Sequence, residues 1–262
     1  MPVYNKVQGA WRELDKAYDK VQGVWRETDK IYDKVQGVWR ECYSSGVPLN
    51  SLPIGSFINV IEPVKGVQRY LLLSHNYEGS GRSLILRERV VEDVHWRNPS
   101  AKYPLTYLNS SSIHRDYLSV GAPLYNSLFA GSNIQNYLQE VTIRMKGVDG
   151  SDNIIISSGN AVSFILSAAE VDSRRANDDG QFLDCFNSDT QKIALNESNN
   201  PSYWWLRSAI SSRYMMYVSS WGSVSSADGL LNNFGIRPAT TLPANLLVSS
   251  NPAANGGYDI LG

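Results

Sequence analysis

The sequence predicts an α+β fold, in which an antiparallel sheet and separate short helices form one body. Two β-rich runs, residues 57–61 and 68–74, flank Pro63-Val64-Lys65-Gly66, which is typical of a hairpin turn. Residues 110–141 carry three helix-start signals. The order of strands, then helices, then strands predicts elements segregated along the chain. A repeat segment at residues 1–43 precedes this body.

The composition excludes several classes of function. A net charge of −1 over 262 residues provides no concentrated basic surface, so no nucleic-acid partner is expected. No apolar run approaches the roughly 20 residues of a membrane span. No signal peptide is visible after Met1. Cys42 and Cys185 fall in different predicted domains and indicate neither a disulfide framework nor a zinc site.

The first 43 residues repeat with a period of 14. Tyr4, Tyr18 and Tyr32 correspond, as do the glycines and tryptophans at positions 9, 23, 37 and 11, 25, 39. Fourteen residues are two heptads, so a coiled coil is one interpretation. A β-meander is the favoured one, because a glycine in each repeat costs about 1 kcal/mol inside a helix.

The β interpretation also predicts a register. Pairing residues 31–35 with 38–42 about Gln36-Gly37 sets Val35 opposite Val38 and Asp33 opposite Arg40. Both are favourable cross-strand pairs. Hairpins this short bury too little surface to stand alone, so we expect them to pack on the body or on copies of themselves. Residues 44–53 are predicted to be a linker, and residues 54–262 the main domain.

Further elements follow in order. Residues 84–91 form a third apolar run, and residues 142–146 and 162–166 predict further strands. Helices are predicted over residues 113–120, 124–129 and 133–141, the second with Pro123 in its first turn. Ser167 and Glu170 predict a capping box that opens another short helix.

The stretch from Trp204 to Ala239 differs from the rest of the chain. Two apolar motifs, Trp204-Trp205-Leu206-Arg207-Ser208 and Gly235-Ile236-Arg237-Pro238-Ala239, enclose a run rich in Ser, Asn and Gly. Alternation within that run predicts an extended segment whose Tyr, Trp and Ser positions face outward. Exposed aromatic residues among small polar residues are typical of binding surfaces, although an ordinary core strand is the competing interpretation.

These two motifs resemble the C-terminal signature of C-type-lectin-fold variable proteins, the targets of diversity-generating retroelements in phages and bacteria of the gut. The resemblance covers about residues 54–242 and implies a C-type-lectin-like domain with antiparallel sheets, two or three short helices and long loops. It also implies a non-enzymatic receptor-binding protein that displays a diversified surface, about residues 209–234, to a bacterial surface protein or other host receptor.

The resemblance assigns residues to two groups. The predicted ligand-binding positions are Ile210, Arg213, Tyr214, Tyr217, Ser219, Trp221, Ser223, Ser225, Asp228, Leu230, Leu231 and Phe234. The predicted scaffold frame is Trp204, Trp205, Leu206, Arg207, Gly235, Arg237 and Pro238. We expect Arg207 and Arg237 to be partly buried and paired, for instance with Glu170 or Asp172.

The N-terminal repeats resemble the Tyr-x-Lys-Val-x-Gly-x-Trp-Lys repeats of phage tail and baseplate proteins. This implies attachment to other virion tail proteins, or oligomerisation with a trimer favoured. The expected location is the virion tail tip or a bacterial cell surface.

The sequence offers little catalytic or metal-binding chemistry. His75, His95 and His114 show no metal-ligand spacing, and the aspartates at 149, 152, 178 and 179 lack the regular spacing of a calcium loop. We therefore expect no metal and no cofactor. Two alternatives stay open: an undiversified structural virion or cell-surface protein, and an enzyme of the formylglycine-generating type. The enzyme would require a reactive cysteine pair, which Cys42 and Cys185 are poorly placed to supply.

Overall fold

The computed structural model describes the backbone of strands between residues 4 and 44, and residues 46–96, 106–148, 151, 154–175 and 179–261. The aspartates at positions 149, 152 and 178 therefore lie outside the described residues. None of the helices in the described part of the chain has the length and apolar character needed to cross a membrane.

The N-terminal repeats are β-hairpins. Their strands are β1 (Tyr4–Val7), β2 (Ala10–Glu13), β3 (Ala17–Val21), β4 (Val24–Thr28), β5 (Lys30–Val35) and β6 (Val38–Ser44). The β5–β6 pairing sets Val35 opposite Val38 and Asp33 opposite Arg40, which confirms the predicted register and makes the coiled-coil interpretation wrong. The strands form three separate two-stranded sheets rather than one meander.

The body contains seventeen further described strands. They are β7 (Gly46–Pro48), β8 (Phe57–Glu62), β9 (Gly66–Ser74), β10 (Arg82–Arg87), β11 (Val91–His95), β12 (Val141–Val148), β13 (Ile154–Ala161), β14 (Ser163–Phe164), β15 (Ala194–Leu195), β16 (Pro201–Ser202), β17 (Trp204–Ala209), β18 (Tyr214–Val218), β19 (Val224–Asp228), β20 (Asn233–Ile236), β21 (Ala239–Pro243), β22 (Leu247–Ser249) and β23 (Gly257–Asp259).

Two larger sheets organise these strands. The six-stranded sheet has the order β14-β21-β10-β9-β8-β23, and the five-stranded sheet has the order β11-β20-β17-β18-β19. The β12–β13 hairpin and the pairs β15–β16 and β7–β22 are separate two-stranded sheets. Two of the passages between the large sheets are short, at residues 88–90 and at Arg237-Pro238. There the Arg87 backbone N–H donates to the Pro238 carbonyl oxygen at 2.8 Å, which ties the two crossings together.

The α-helices of the described residues are short. They are α1 (Tyr107–Ser110), α2 (Pro123–Leu128), α3 (Ala168–Val171) and α4 (Asp189–Lys192). Helix α2 confirms the prediction for residues 124–129, and the Ser167–Glu170 capping box is present at α3. The predicted helix at 113–120 is instead a single π-helical segment, Ile113–Leu118.

The helix predicted at residues 133–141 is wrong. One 3-10 turn, Gln135–Tyr137, forms, Leu138 is extended, and Val141 already begins β12. The side chain of Asn133 explains the early break, because its amide oxygen accepts a hydrogen bond from the Ile61 backbone N–H at 2.8 Å. That bond holds residue 133 against strand β8 rather than at a helix start.

The predicted fold class is also wrong. The chain is mostly β, with several sheets and a few short helices, and does not form the expected α+β, C-type-lectin-like domain. The apolar run at 84–91 is divided between β10 and β11, which belong to different sheets. The β-hairpin β12–β13 adds eight-residue strands where the sequence indicated only the first one.

The predicted linker packs into the body. Strand β7 pairs with β22, and the Leu49 backbone N–H donates to the Leu246 carbonyl oxygen at 2.8 Å. Leu49 and Leu52 are both buried. Residues 46–53 therefore pack on the body, and Leu49 and Leu52 belong to its core, where they remove apolar surface from water.

His114 is held in an apolar setting beside the ring of Tyr107, with ring centroids 5.3 Å apart. Burial lowers the pKa of His114 to about 4. The unfolded chain binds a proton at this residue below about pH 6.5, whereas the folded chain does not until about pH 4. The stability contributed by neutral His114 is therefore present above pH 6.5 and is lost as the pH falls toward 4.

We expect wild-type protein to lose about 2 kcal/mol more unfolding free energy than His114→Asn between pH 7 and pH 5, measured by urea denaturation. Carboxylate titration is common to both proteins and cancels in the comparison. His95→Asn, at an exposed position, is the control and should behave like the wild type. Parallel pH profiles for wild type and His114→Asn would contradict the assignment.

Candidate ligand-binding surface

Strand β17 carries the first frame motif through the interior of the protein. Its six residues, Trp204–Ala209, are all buried. The two tryptophans are fixed by hydrogen bonds from their indole N–H groups: Trp204 donates to the Lys192 carbonyl oxygen at 3.1 Å, and Trp205 to that of Val94 at 2.7 Å. Both ring orientations are therefore set by backbone groups of neighbouring elements.

Arg207 is the most heavily bonded residue of this strand. Its guanidinium donates to both carboxylate oxygens of Glu170, at 2.7 and 2.8 Å. It also donates to the carbonyl oxygens of Arg144, Ile165 and Asp179, at 2.7 to 3.0 Å. The side chains of Arg207 and Glu170 are both fully buried. This confirms the expected pairing with Glu170 and gives Arg207 a structural role.

Arg237 does not follow the same expectation. It pairs with neither Glu170 nor Asp172; its Nε donates to the Arg87 carbonyl oxygen at 2.9 Å, and its guanidinium lies 5.1 Å from the ring centre of Trp204. Asp172 instead bonds Arg174 at 2.9 Å. Burial lowers the pKa of Arg237 to about 10. The guanidinium of Arg237 therefore contacts the ring face of Trp204 in a cation–π interaction, where an ion pair with a carboxylate was expected.

Gly235 and Pro238 complete the second frame motif. A Cβ atom at Gly235 would lie 2.9 Å from Cβ of Val90 and 3.1 Å from the Tyr203 carbonyl oxygen. Pro238 stands where the chain leaves the five-stranded sheet and enters β21 of the six-stranded sheet. Close packing against Val90 and Tyr203 therefore explains Gly235, and Pro238 lies at the passage from one sheet to the other.

We expect Arg207→Leu and Glu170→Leu each to lower the unfolding free energy by about 3–5 kcal/mol, because each leaves a buried charge without its partner. The double substitution should cost less than the sum of the two. The control is Arg69→Leu, in a pair with Glu88 whose side chains are about one-third exposed, and it should cost about 1 kcal/mol or less. Denaturant unfolding measures all four; equal costs for the buried and exposed pairs would contradict this account.

The segment between the frame motifs is a β-hairpin followed by a turn. Strands β18 and β19 pair antiparallel, with Tyr217 opposite Ser225 and Tyr214 opposite Asp228. The predicted continuous extended segment is therefore wrong, because the chain reverses over residues 219–223. A second turn at residues 229–232 leads into β20.

Most predicted binding positions lie on the surface. Those that are exposed are Ile210, Arg213, Tyr214, Trp221, Ser223, Ser225 and Leu231, and those that are partly exposed are Tyr217, Leu230 and Phe234. We call these ten residues the display surface; they lie on both faces of the β18–β19 hairpin, since Tyr214 and Tyr217 are three residues apart on β18. Trp221 and Leu231 are the most exposed apolar members, at 70% and 71%. Exposed apolar side chains of this size are unusual when several occur together, and mark interaction sites.

Two predicted binding positions are buried instead. The backbone N–H and C=O of Ser219 bond Ser223 and Gly222, and its hydroxyl accepts the Ser223 backbone N–H at 3.1 Å. Asp228 accepts the Leu230 backbone N–H at 2.9 Å and bonds the guanidinium of Arg213. Both residues are thus corrected to turn-forming residues, because their side chains satisfy backbone groups of the hairpin.

Gly222 fixes the hairpin turn against the body. It has a φ of +87°, and a Cβ atom there would lie 1.8 Å from the carbonyl oxygen of Asp189 in α4. Backbone does not yield to such an overlap as a flexible side chain would. The turn that carries Trp221 is therefore held at a defined distance from α4.

We expect Gly222→Ala to lower the unfolding free energy by about 2 kcal/mol or more, through backbone strain and overlap with α4. Gly66→Ala is the matched control, because Gly66 has a φ of +68° in the β8–β9 turn but no atom within 4 Å of the added Cβ. The control should cost about 1 kcal/mol from strain alone. Equal losses in urea denaturation would show that the contact with Asp189 contributes nothing.

Four aromatic rings form a cluster on the five-stranded sheet, and we call Tyr203, Trp205, Tyr217 and Phe234 the aromatic platform. The ring centre of Phe234 lies 4.6 Å from those of Trp205 and Tyr217 and 5.2 Å from that of Tyr203. Trp205 is buried, whereas the other three rings are partly exposed. Tyr203 was not among the predicted binding residues; only its position directly before the frame motif signalled it.

A cleft of about 260 Å³ borders one end of the display surface. Ile210 and Met216 line it together with the cationic residues Lys146, Arg174 and Arg175. Arg174 is neutralised in part by its ion pair with Asp172. The cleft thus gives the Ile210 end a positive border, in contrast to the uncharged aromatic platform.

Cys185 is the cysteine whose side chain the structure describes. Burial raises the pKa of the Cys185 thiol to about 12, so it is protonated at neutral pH, unlike a reactive cysteine. The side chain of Cys42 lies outside the described residues. Within the described part of the chain, no three His, Cys, Asp or Glu side chains form a group able to hold a metal ion.

The sequence comparisons identify one family. The family model described as a domain of unknown function, DUF6273, matches residues 80–244, well over half of the chain. The matched range contains the display surface, both frame motifs and the Arg207–Glu170 pair, and it excludes the N-terminal hairpins. No curated protein and no solved structure matches the chain.

Proposed function

We propose that this chain, which belongs to the DUF6273 family, is a receptor-binding protein whose display surface attaches it to a bacterial cell. The observation that carries the proposal is the group of large exposed side chains on one segment. Trp221, Leu231, Tyr214 and Ile210 are 41–71% exposed, while the frame strand beneath them is fully buried. A rigid base with exposed aromatic anchors is the arrangement that protein binding surfaces use.

The same geometry supports diversification of the display surface. Seven of its ten side chains are exposed, so replacing these seven leaves the core contacts of β17 in place, whereas Tyr217 and Phe234 pack on Trp205 of that strand. Ser219, Gly222 and Asp228 hold the turns and are therefore excluded from the proposed variable set. We propose that the seven exposed positions vary between copies of the protein and select its receptor.

The N-terminal hairpins supply the proposed attachment to a phage tail tip or a cell surface. Each is a two-stranded sheet of short strands, and such sheets are only marginally stable alone. We propose that they pack against other tail proteins or against copies of this chain in a trimer. The display surface would then be presented in several copies, which strengthens attachment to a cell.

A second candidate is an undiversified structural protein of a virion or cell surface. The bonds of Ser219 and the Arg213–Asp228 ion pair favour it, because they fit this particular hairpin sequence closely. It accounts less well for the exposed Trp221, since a purely structural turn has no need of a large exposed ring.

We expect Trp221→Ala and Tyr214→Ala each to weaken cell attachment by about 30-fold, the equivalent of about 2 kcal/mol. The measurement is flow cytometry of fluorescently labelled full-length protein on a panel of bacterial isolates. Val64→Ala, an equally exposed apolar residue on the β8–β9 turn of the other large sheet, is the control and should bind as the wild type does. Unchanged binding by both test variants would contradict the proposed surface.

A further inference from the structure

We infer that the aromatic platform binds a saccharide and that its ligand is an uncharged sugar chain of the bacterial surface. This inference rests on the proposed receptor-binding function and specifies the ligand class. It concerns Tyr203, Tyr217 and Phe234, whose partly exposed rings lie over the buried Trp205.

The platform provides partly exposed aromatic rings whose positions are fixed by contact with one another before any ligand arrives. Phe234 contacts all three other rings, and Tyr203 and Trp205 each also contact Tyr217, at 5.8 and 6.3 Å between centres. An aromatic face carries partial negative charge and attracts the C–H groups on the flat side of a sugar ring. Rings already packed together lose little conformational entropy when a ligand binds.

Hydroxyl groups accompany the rings. Ser225 is the cross-strand partner of Tyr217 and is exposed, and Ser223 is exposed two residues before it. Hydroxyls donate and accept hydrogen bonds, so they match the hydroxyls of a sugar in either direction. The combination of ring face and nearby hydroxyl fits a saccharide better than a purely apolar ligand.

The charge of the segment favours a neutral ligand. Residues 209–236 contain only two charged side chains, Arg213 and Asp228, and these pair with each other. Burial raises the pKa of Asp228 while bonds from Arg213 and the Leu230 backbone lower it; the net shift is downward, which keeps the pair ionised. A charged polymer placed on the platform would find no opposite charge within this segment.

The position of the platform disfavours an extended peptide. Its rings come from β17, β18 and β20 and from Tyr203 beside β17, and these three strands lie inside the five-stranded sheet with neighbours on both sides. Their backbone groups are engaged, so a peptide lying there would leave its own N–H and C=O groups without strand partners. A saccharide has no such backbone.

The test uses bacterial cells that the full-length protein binds. One portion is oxidised with periodate, which cleaves the vicinal diols of sugars, a second is treated with protease, and a third is mock-treated. We expect periodate to reduce binding at least tenfold and protease alone to leave it unchanged. Binding that survives periodate overturns the inference, and if that binding is also protease-sensitive, the receptor is a protein and the proposed function still stands.

Variants then locate the saccharide site. We expect Tyr217→Leu, which keeps apolar volume but removes the ring and its hydroxyl, to weaken binding to mock-treated cells at least tenfold. Tyr258→Leu, a partly exposed tyrosine on β23 of the other large sheet, is the matched control. Circular dichroism of each variant checks that it is folded. The periodate test uses the wild-type protein alone, so it does not depend on whether a variant folds. Periodate-sensitive binding that Tyr217→Leu leaves intact would place the saccharide elsewhere and overturn the assignment.

Discussion

The bond between Arg207 and Glu170 is the constraint on which the rest of the body depends. It joins β17, the central strand of the five-stranded sheet, to the capping box of α3. Arg207 also donates to the carbonyl oxygens of Arg144 and Ile165, which precede α3, and of Asp179, which follows it. Tyr77 donates its hydroxyl to the same carboxylate at 2.7 Å. Burial raises the pKa of Tyr77 well above its usual value, so it stays a neutral donor. A buried network this fully bonded selects one arrangement of strands.

A second network of the same composition stabilises the other large sheet. Arg87 and Tyr70 both bond Glu62, at 2.7 and 2.8 Å, with all three side chains buried. In each network an arginine pairs with a buried glutamate that also accepts a hydrogen bond from a tyrosine hydroxyl. Arg237 connects the two regions, because it lies over Trp204 and bonds the carbonyl oxygen of Arg87.

Sequence patterns predicted the elements that depend on neighbouring residues. They did not predict the elements that depend on contacts between residues distant in sequence. The hairpin register at Val35–Val38, helix α2 and the Ser167 cap depend on neighbouring residues, and the sequence predicted each of them. The helix at 133–141 failed because Asn133 bonds a strand 72 residues away. The α+β class failed because local signals did not reveal how much of the chain before and after the helical region pairs as strands.

The positions predicted for the candidate surface were likewise correct in part and wrong in part. Alternation placed Trp221, Ser223 and Ser225 outward, as the structure has them. It also placed Ser219 outward, because a pattern of period two does not show where a chain reverses. The resemblance placed Asp228 among the binding positions, although its carboxylate bonds a turn. Tyr203 was missed since its exposure depends on Phe234, which comes from a strand that is distant in sequence.

The fit of Gly222 against α4 determines how this scaffold could be engineered. A combinatorial library that randomises the outward positions should hold the length of the β18–β19 loop constant, because an inserted residue would lift the turn from the Asp189 carbonyl. The β20 side has a similar limit where Gly235 meets Val90. Variants of this protein should therefore differ in the side chains of a loop whose length stays constant. Antibodies, in contrast, also vary the length of their binding loops.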